Sequence, residues 1–238
     1  EAACDRLSLD GTFFDSAEIA GAGFINFRLG KRWFREVLTA IECEGADFAK
    51  TTGYAGQKIM VEFVSANPTG PMHMGNARGG VLGDCLASVL ELSGAEVTRE
   101  FLINDAGNQV DNFGRSLETR FLQLYPETAD IPFPEDGYHG DDIRELAAAF
   151  KEAHGDEYHD APSEERRTAL IQFGLNHNIP KMKRDLARYG IAYDVWFSET
   201  TLHESGAVRD TVDMLTEKGY TYEKDGATWL RTTQFGCE

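Results

Sequence analysis

A change of hydrophobic period near residue 70 constrains this chain more than any other feature. A β-branched and aromatic run that includes Val61-Glu62-Phe63-Val64 predicts a buried strand over 59–64. Asn67-Pro68-Thr69-Gly70-Pro71 then breaks it with turn residues. From Met74 onward, Ala77, Val81, Leu82, Cys85, Leu86, Val89 and Leu90 recur at helical spacing. A helix is therefore expected over 74–92, with that stripe and its Cys85 facing a core. Gly94 closes the helix, and 96–103 reads as a second strand. Short strand–helix–strand connections imply a parallel, right-handed crossover in a doubly wound sheet. Ligands of such sheets sit beyond the carboxyl ends of the strands, where 67–73 and 104–109 fall.

His73 and Asn76 lie three apart at the helix start and so share a face. A helix N-terminus presents unpaired N–H groups and a partial positive charge, which suits a phosphate chain. His73 can donate a hydrogen bond, more strongly when protonated, and Asn76 offers a neutral amide donor. Gly75 and Gly79 remove side chains where a nucleotide could approach the backbone. A lone histidine in a first turn would read as a surface cap; the turn before it and the glycines after it favour the phosphate site. The polar cluster Asn104-Asp105-Ala106-Gly107-Asn108-Gln109 has two open readings. It could hydrogen-bond a ribose or an amino-acid backbone, or form an Asx-turn and helix cap.

Residues 1–56 read as a separate small piece, with a strand over 23–29, an amphipathic helix over 31–48 and a linker over 51–56. Helices are expected over 110–125, 141–154 and 163–189, the last interrupted by Pro180. A strand over 191–197, a helix over 205–218 and a hairpin around Lys224-Asp225-Gly226 follow. The formal charge of −17 argues against a broad nucleic-acid surface and leaves room only for small basic patches. No apolar run is long enough for a membrane span, and the acidic start at Glu1 does not read as a signal peptide. The four cysteines have no metal spacing and read as free thiols of a reducing cytoplasm. His139 and His203 read as structural.

The string VEFVSANPTGPMHMGNARGGVLGD at 61–84 resembles the HIGH signature of class I aminoacyl-tRNA synthetases, and the arginyl family in particular. GFINFRL (23–29), REFLINDAGNQVDNFG (99–114), DGYHGDDI (136–143) and WFSETTLHESGAV (196–208) resemble the same family. The signature's last position is Asn76 rather than histidine. The resemblance implies an α/β fold: the first half of a Rossmann-like class I catalytic domain at 57–238, split by a helical insertion at 126–190. Residues 1–56 would be the end of a small α+β tRNA-binding domain. It implies an arginine–tRNA ligase that uses ATP with Mg2+, L-arginine and tRNA(Arg), generally with tRNA bound for the first step, in a cytoplasmic, monomeric parent enzyme.

On this reading His73 and Asn76 are catalytic, and Pro71, His73, Gly75, Asn76 and Gly79 bind ATP. Glu62 would contact the arginine guanidinium, and Asn67 with Ser65 its α-amino and α-carboxylate groups; Asn104 and Gln109 join the pocket. Lys181-Met182-Lys183-Arg184 imitates the second class I signature, KMSK, but lacks the serine and falls inside a helix. It reads as a solvated basic face or a phosphate contact. The second half of the fold is expected to follow Gly236, so the chain alone is expected to be inactive. Alternatives are a glutamyl-type synthetase, a nucleotidyltransferase with a HxGH-like motif, and a non-catalytic tRNA-binding module. Glu62, with no cation at the strand end, favours a guanidinium over a glutamate.

Overall fold

The computed structural model describes residues 4–237; Glu1–Ala3 and Glu238, which begin and end the expected domains, lie outside the described residues. The chain divides into two units, one of residues Glu1–Ala55 with Leu92–Gly94 and the other of Gly56–Glu91 with Ala95–Glu238. No helix is long and apolar enough to cross a membrane among the described residues.

In the first unit β1 (Phe14–Ala20) and β2 (Phe24–Leu29) form an antiparallel hairpin, shifted in register between Phe14 and Ser16. The first of these strands was not legible, because Asp-Ser-Ala-Glu-Ile-Ala has weak strand propensity. Helix α1 (Lys31–Glu44) ends four residues earlier than expected. Gly45 takes a left-handed φ of 56° there, and a 3-10 turn follows over Gly45–Asp47. The apolar residues Phe34, Leu38 and Ile41 of α1 remain exposed. The expected linker is hydrogen-bonded: the amides of Thr51 and Tyr54 donate to the carbonyls of Leu92 and Ser93.

The second unit begins with β3 (Lys58–Glu62), α2 (Met74–Leu92) and β4 (Glu96–Ile103). Helices α3 (Asn108–Leu122), α4 (Asp141–His154) and α5 (Ser163–Arg188) follow, then β5 (Val195–Ser198). The three strands form one parallel sheet in the order β3-β4-β5, as the short crossovers require. Strand β3 stops at Glu62, two residues earlier than expected, because Val64 and Ser65 turn to φ of 67° and 40°. Strand β5 is likewise shorter than expected: Ile191 bonds back to Leu186 and closes α5. Helix α7 (Ala207–Glu217) fills the expected 205–218, and a short helix α6 (Thr200–Glu204) that was not expected precedes it, set off by Gly206 at φ 80°. The hairpin of β6 (Thr221–Lys224) and β7 (Ala227–Leu230) turns through Asp225 and Gly226, both at positive φ.

Two cores hold this unit. Phe113, Leu117 and Phe121 of α3 pack with Ile143 and Phe150 of α4 and Leu170 of α5. Phe63, Phe101 and Ile191 pack with Met182 and Leu186 from the far end of α5. Helix α5 thus serves both cores, and it runs unbroken through Pro180. Buried Asn178, Met182 and Leu186 straddle the proline and hold the helix across its missing hydrogen bond.

The expected core stripe of α2 is the wrong face. Gly80, Gly83 and Ala87 are the buried residues, while Leu82 is 72% and Val89 58% exposed and Cys85 is exposed. Close approach decides this: a Cβ on Gly83 would stand 2.2 Å from the Phe63 ring, and one on Gly80 2.8 Å from Ile191. Small residues let the helix lie close against Phe63, just beyond β3, and Ile191, just beyond α5, and the larger apolar side chains stay exposed.

Candidate active site

The break between β3 and α2 is held from several sides. The hydroxyl of Tyr193 donates to the carbonyl of Phe63 at 3.0 Å, and the two rings stack at 4.6 Å. Burial pushes the Tyr193 hydroxyl up, so it stays a donor. Ser65 Oγ accepts from the Leu102 amide at 3.1 Å, which ties the loop to β4. The amide of buried Asn178 on α5 donates to the carbonyl of Pro68 at 2.8 Å. These contacts support a left-handed turn at Val64, a β-branched residue that avoids it when free.

The turn opens a cavity of about 550 Å³ beyond the carboxyl end of β3. Ser65, Asn67, Gly70, Pro71, His73 and Asn76 line one side, and Gln109 joins them from the start of α3. The Asn67 amide donates to the Gln109 side-chain oxygen, joining the first-strand loop to the second. The opposite wall is the loop before α4, with Tyr138, His139 and Asp142. Sequence reasoning assigned none of these three to a site, although their string stood out. The Tyr138 amide donates to Ser116 Oγ at 2.8 Å and fastens that loop to α3. A Cβ on Gly70 would lie 3.4 Å from an Asp142 carboxylate oxygen, so the two walls meet there.

At the start of α2 the predicted pair is brought together, but it is turned inward. Asn76 Oδ1 accepts from the His73 amide at 3.0 Å, and His73 Nδ1 accepts from the Gly75 amide at 3.1 Å. The pair caps its own helix and uses two of the N–H groups expected to be free. An Nδ1 that accepts leaves the proton of the neutral ring on Nε2, which remains available as a donor. Gly75 makes room for this fold-back, since a Cβ there would stand 2.9 Å from the imidazole. Gly79 has open space around it.

Other expected site residues lie elsewhere. Glu62 is exposed, on the same strand face as Lys58 and Met60, and does not line the cavity. Asn104 does not line it either; its amide nitrogen faces the carboxylate of Glu199 and the carbonyl of Ala106. Asp105 is a cap: it accepts from the Thr200 amide at 2.9 Å and the Ser198 hydroxyl at 2.6 Å. The polar cluster therefore divides, with Asp105 fixing β5 to α6 and Gln109 facing the cavity. In the KMSK-like string, Met182 is buried and Lys183 lies over the Trp196 ring at 4.7 Å. Among the described residues no three His, Cys, Asp or Glu side chains are grouped for a metal ion.

Comparison with known proteins agrees with this architecture. The family of class I tRNA synthetases (R), catalytic domain, matches residues 38–238. The arginine–tRNA ligase of Caldanaerobacter subterraneus subsp. tengcongensis is 56% identical over the whole chain, and that of Acetivibrio thermocellus 52% identical over 98% of it. The chain spans 42% and 41% of the length of these two relatives. A crystal structure from Campylobacter jejuni assigned as an arginyl-tRNA synthetase superposes with a TM-score of 0.71 at 30% identity, over 87% of this chain and 45% of that one. Thermus thermophilus arginyl-tRNA synthetase shares the fold, with a TM-score of 0.50 at 23% identity over 95% of this chain and 37% of that one. The self-capped histidine beyond a parallel strand, the helical body behind it and these matches place the chain in the class I tRNA synthetase family of the arginyl type.

Proposed function

We propose that this chain carries the ATP-binding part of an arginine–tRNA ligase, which activates L-arginine as arginyl-adenylate and passes it to tRNA(Arg). The observation that supports this reading most is the His73–Asn76 pair at the cavity mouth, where His73 Nδ1 meets the Gly75 amide and Nε2 has no hydrogen bond among the described residues. ATP, entering with Mg2+, would lay its phosphates across this helix start. His73 and Asn76 would then turn from their own backbone to the phosphate oxygens, which releases the amides of His73 and Gly75 for the same ligand. Pro71 and Gly75 shape that approach, and Gly79 leaves space along it.

Little covalent chemistry is asked of the protein. The arginine carboxylate attacks the α-phosphate, pyrophosphate leaves, and positioned donors stabilise the charge that develops. Asn67 and Gln109, already bonded to each other at the cavity wall, would hold the α-amino and α-carboxylate groups. Glu62 would offer its carboxylate to the guanidinium from the exposed strand face. Residues 1–56 would contribute to tRNA binding. Calorimetry with ATP, L-arginine and L-glutamate in turn tests this reading. Heats for ATP and arginine without glutamate support it; binding of glutamate in preference to arginine would overturn it.

A further inference from the structure

Asn178 is a poor choice for its position unless its amide is needed. It is 7% exposed in the interior of α5, just before Pro180. Asparagine is a weak helix former, and a buried amide costs free energy unless it is hydrogen-bonded. Its bond leaves the helix: Nδ2 donates to the carbonyl of Pro68 at 2.8 Å, 110 residues away in the chain. Pro68 is fully buried, and no other donor reaches that carbonyl among the described residues.

The loop that this bond holds is strained at its start. Val64 and Ser65 keep φ of 67° and 40°, and such backbone persists only where surrounding contacts determine it. Two contacts hold the start, from the Tyr193 hydroxyl to the Phe63 carbonyl and from the Leu102 amide to Ser65 Oγ. Asn178 holds the far side, at the residue after Asn67. Asn67 is in turn hydrogen-bonded to Gln109 at the start of α3. Helices α3 and α5 approach each other at glycines. A Cβ on Gly114 would stand 2.5 Å from Ile171, and one on Gly174 2.6 Å from Phe113. The contacts thus close a ring: from Asn67 to Gln109, along α3, across to α5, and through Asn178 back to Pro68. The fixed φ of Pro68 leaves one torsion fewer to absorb a shift of its carbonyl.

We propose that Asn178 is a positioning residue of the amino-acid subsite: its buried amide carries the packing of α3 against α5 to the loop and holds Asn67 opposite Gln109. This rests on the ligase reading, in which those two side chains take the α-amino and α-carboxylate groups of arginine. Asn178 does not line the cavity, so it acts through Asn67. The phosphates meet the start of α2, which is held by its own cap and not by this bond. Loss of Asn178 therefore weakens the hold on the amino acid and spares that on ATP.

The test uses the full-length protein in pyrophosphate exchange with tRNA present. Asn178→Ala removes the amide and leaves space for water; Asn178→Leu removes it and fills the space. Either should raise KM for arginine on the order of tenfold, as expected for one buried carbonyl left unpaired, with KM for ATP and kcat within about threefold of the wild type. Hydrogen exchange at the amides of Asn67, Thr69 and Gly70 should quicken on the order of tenfold, while that of α3 stays unchanged. Phe121→Leu, at the opposite end of α3 from Gln109, opens buried packing outside the ring. It should lower the thermal midpoint and leave KM for arginine unchanged. In an Asn67→Ala background, Asn178→Ala should add less than about twofold to KM for arginine, because the side chain it positions is gone.

A KM for arginine within about twofold of the wild type in both Asn178 variants would overturn the proposal. So would equal rises for arginine and ATP, the same rise in Phe121→Leu, or an undiminished rise in the Asn67→Ala background. If the wild type itself shows no arginine-dependent pyrophosphate exchange, the ligase reading fails. Hydrogen exchange at Asn67, Thr69 and Gly70 then still decides whether Asn178 holds the loop, and unchanged rates there reject it.

Discussion

The side-chain oxygen of Asn76 accepts the backbone N–H of His73 at 3.0 Å, so the pair that faces the cavity also closes its own helix end. Binding an anion there exchanges an internal cap for a ligand. In the full-length protein, His73→Ala should lower adenylate formation by on the order of 10²-fold or more, if the imidazole acts on charge that develops in the transition state. Arginine affinity should change little. Asn76→His should remain active in pyrophosphate exchange, because a histidine there still offers a donor to the phosphates. Wild-type rates in His73→Ala would remove the histidine from the mechanism.

Glu62 stands exposed on its strand, and no ion pair or side-chain hydrogen bond involves it among the described residues. Replacing it therefore should not unfold the protein. In the full-length protein, Glu62→Gln should leave the thermal midpoint and the KM for ATP nearly unchanged. The KM for arginine should rise strongly, by the equivalent of about 2–5 kcal/mol if the guanidinium is desolvated against it. An unchanged KM for arginine would reject that contact.

Gly83 of α2 lies against the ring of Phe63, the residue that follows β3. Gly83→Ala would drive a methyl into the Phe63 ring, with 2.2 Å between the new Cβ and the ring. Overpacking of this kind costs about 1–3 kcal/mol, read as a fall in the urea midpoint. Leu82→Ala, on the 72% exposed face of the same helix, should cost much less. Equal losses would mean that the apolar stripe, and not the glycine face, is the buried one.

Burial, followed by the neighbouring Asp156, pushes the Tyr125 hydroxyl up to about 12. Its ordinary value is about 10, so between the two the folded state binds more protons than the unfolded state. Its contribution is therefore fully present below about pH 10 and is lost as the pH rises toward 12. Wild type and Tyr125→Phe should converge in urea stability, or cross, over that window. A constant difference from pH 9 to 11.5 would contradict the shift.

Much of the fold was legible because the sequence itself is periodic. The switch at residue 70 located β3, the loop and α2, and short crossovers required the parallel sheet. The bounds of β4 and α4 follow directly from local pattern and flanking glycines. The face of α2 was not legible. Hydropathy ranks leucine above glycine, yet backbone approach to Phe63 and Ile191 selects the glycines. Only tertiary packing knows which neighbour a helix must lie against.

The same division runs through the site. His73, Asn76, Asn67 and Gln109 could be named from residue type and position, since a strand–turn–helix unit places them at one end of the sheet. Their hydrogen bonds could not, because a self-cap and an open phosphate site use the same residues at the same spacing. Tyr138, His139 and Asp142 reach the cavity across 60 or more residues of chain, and no local rule spans that distance. Local chemistry determined which groups this protein can offer; the packing of α3, α4 and α5 decided which of them face one another.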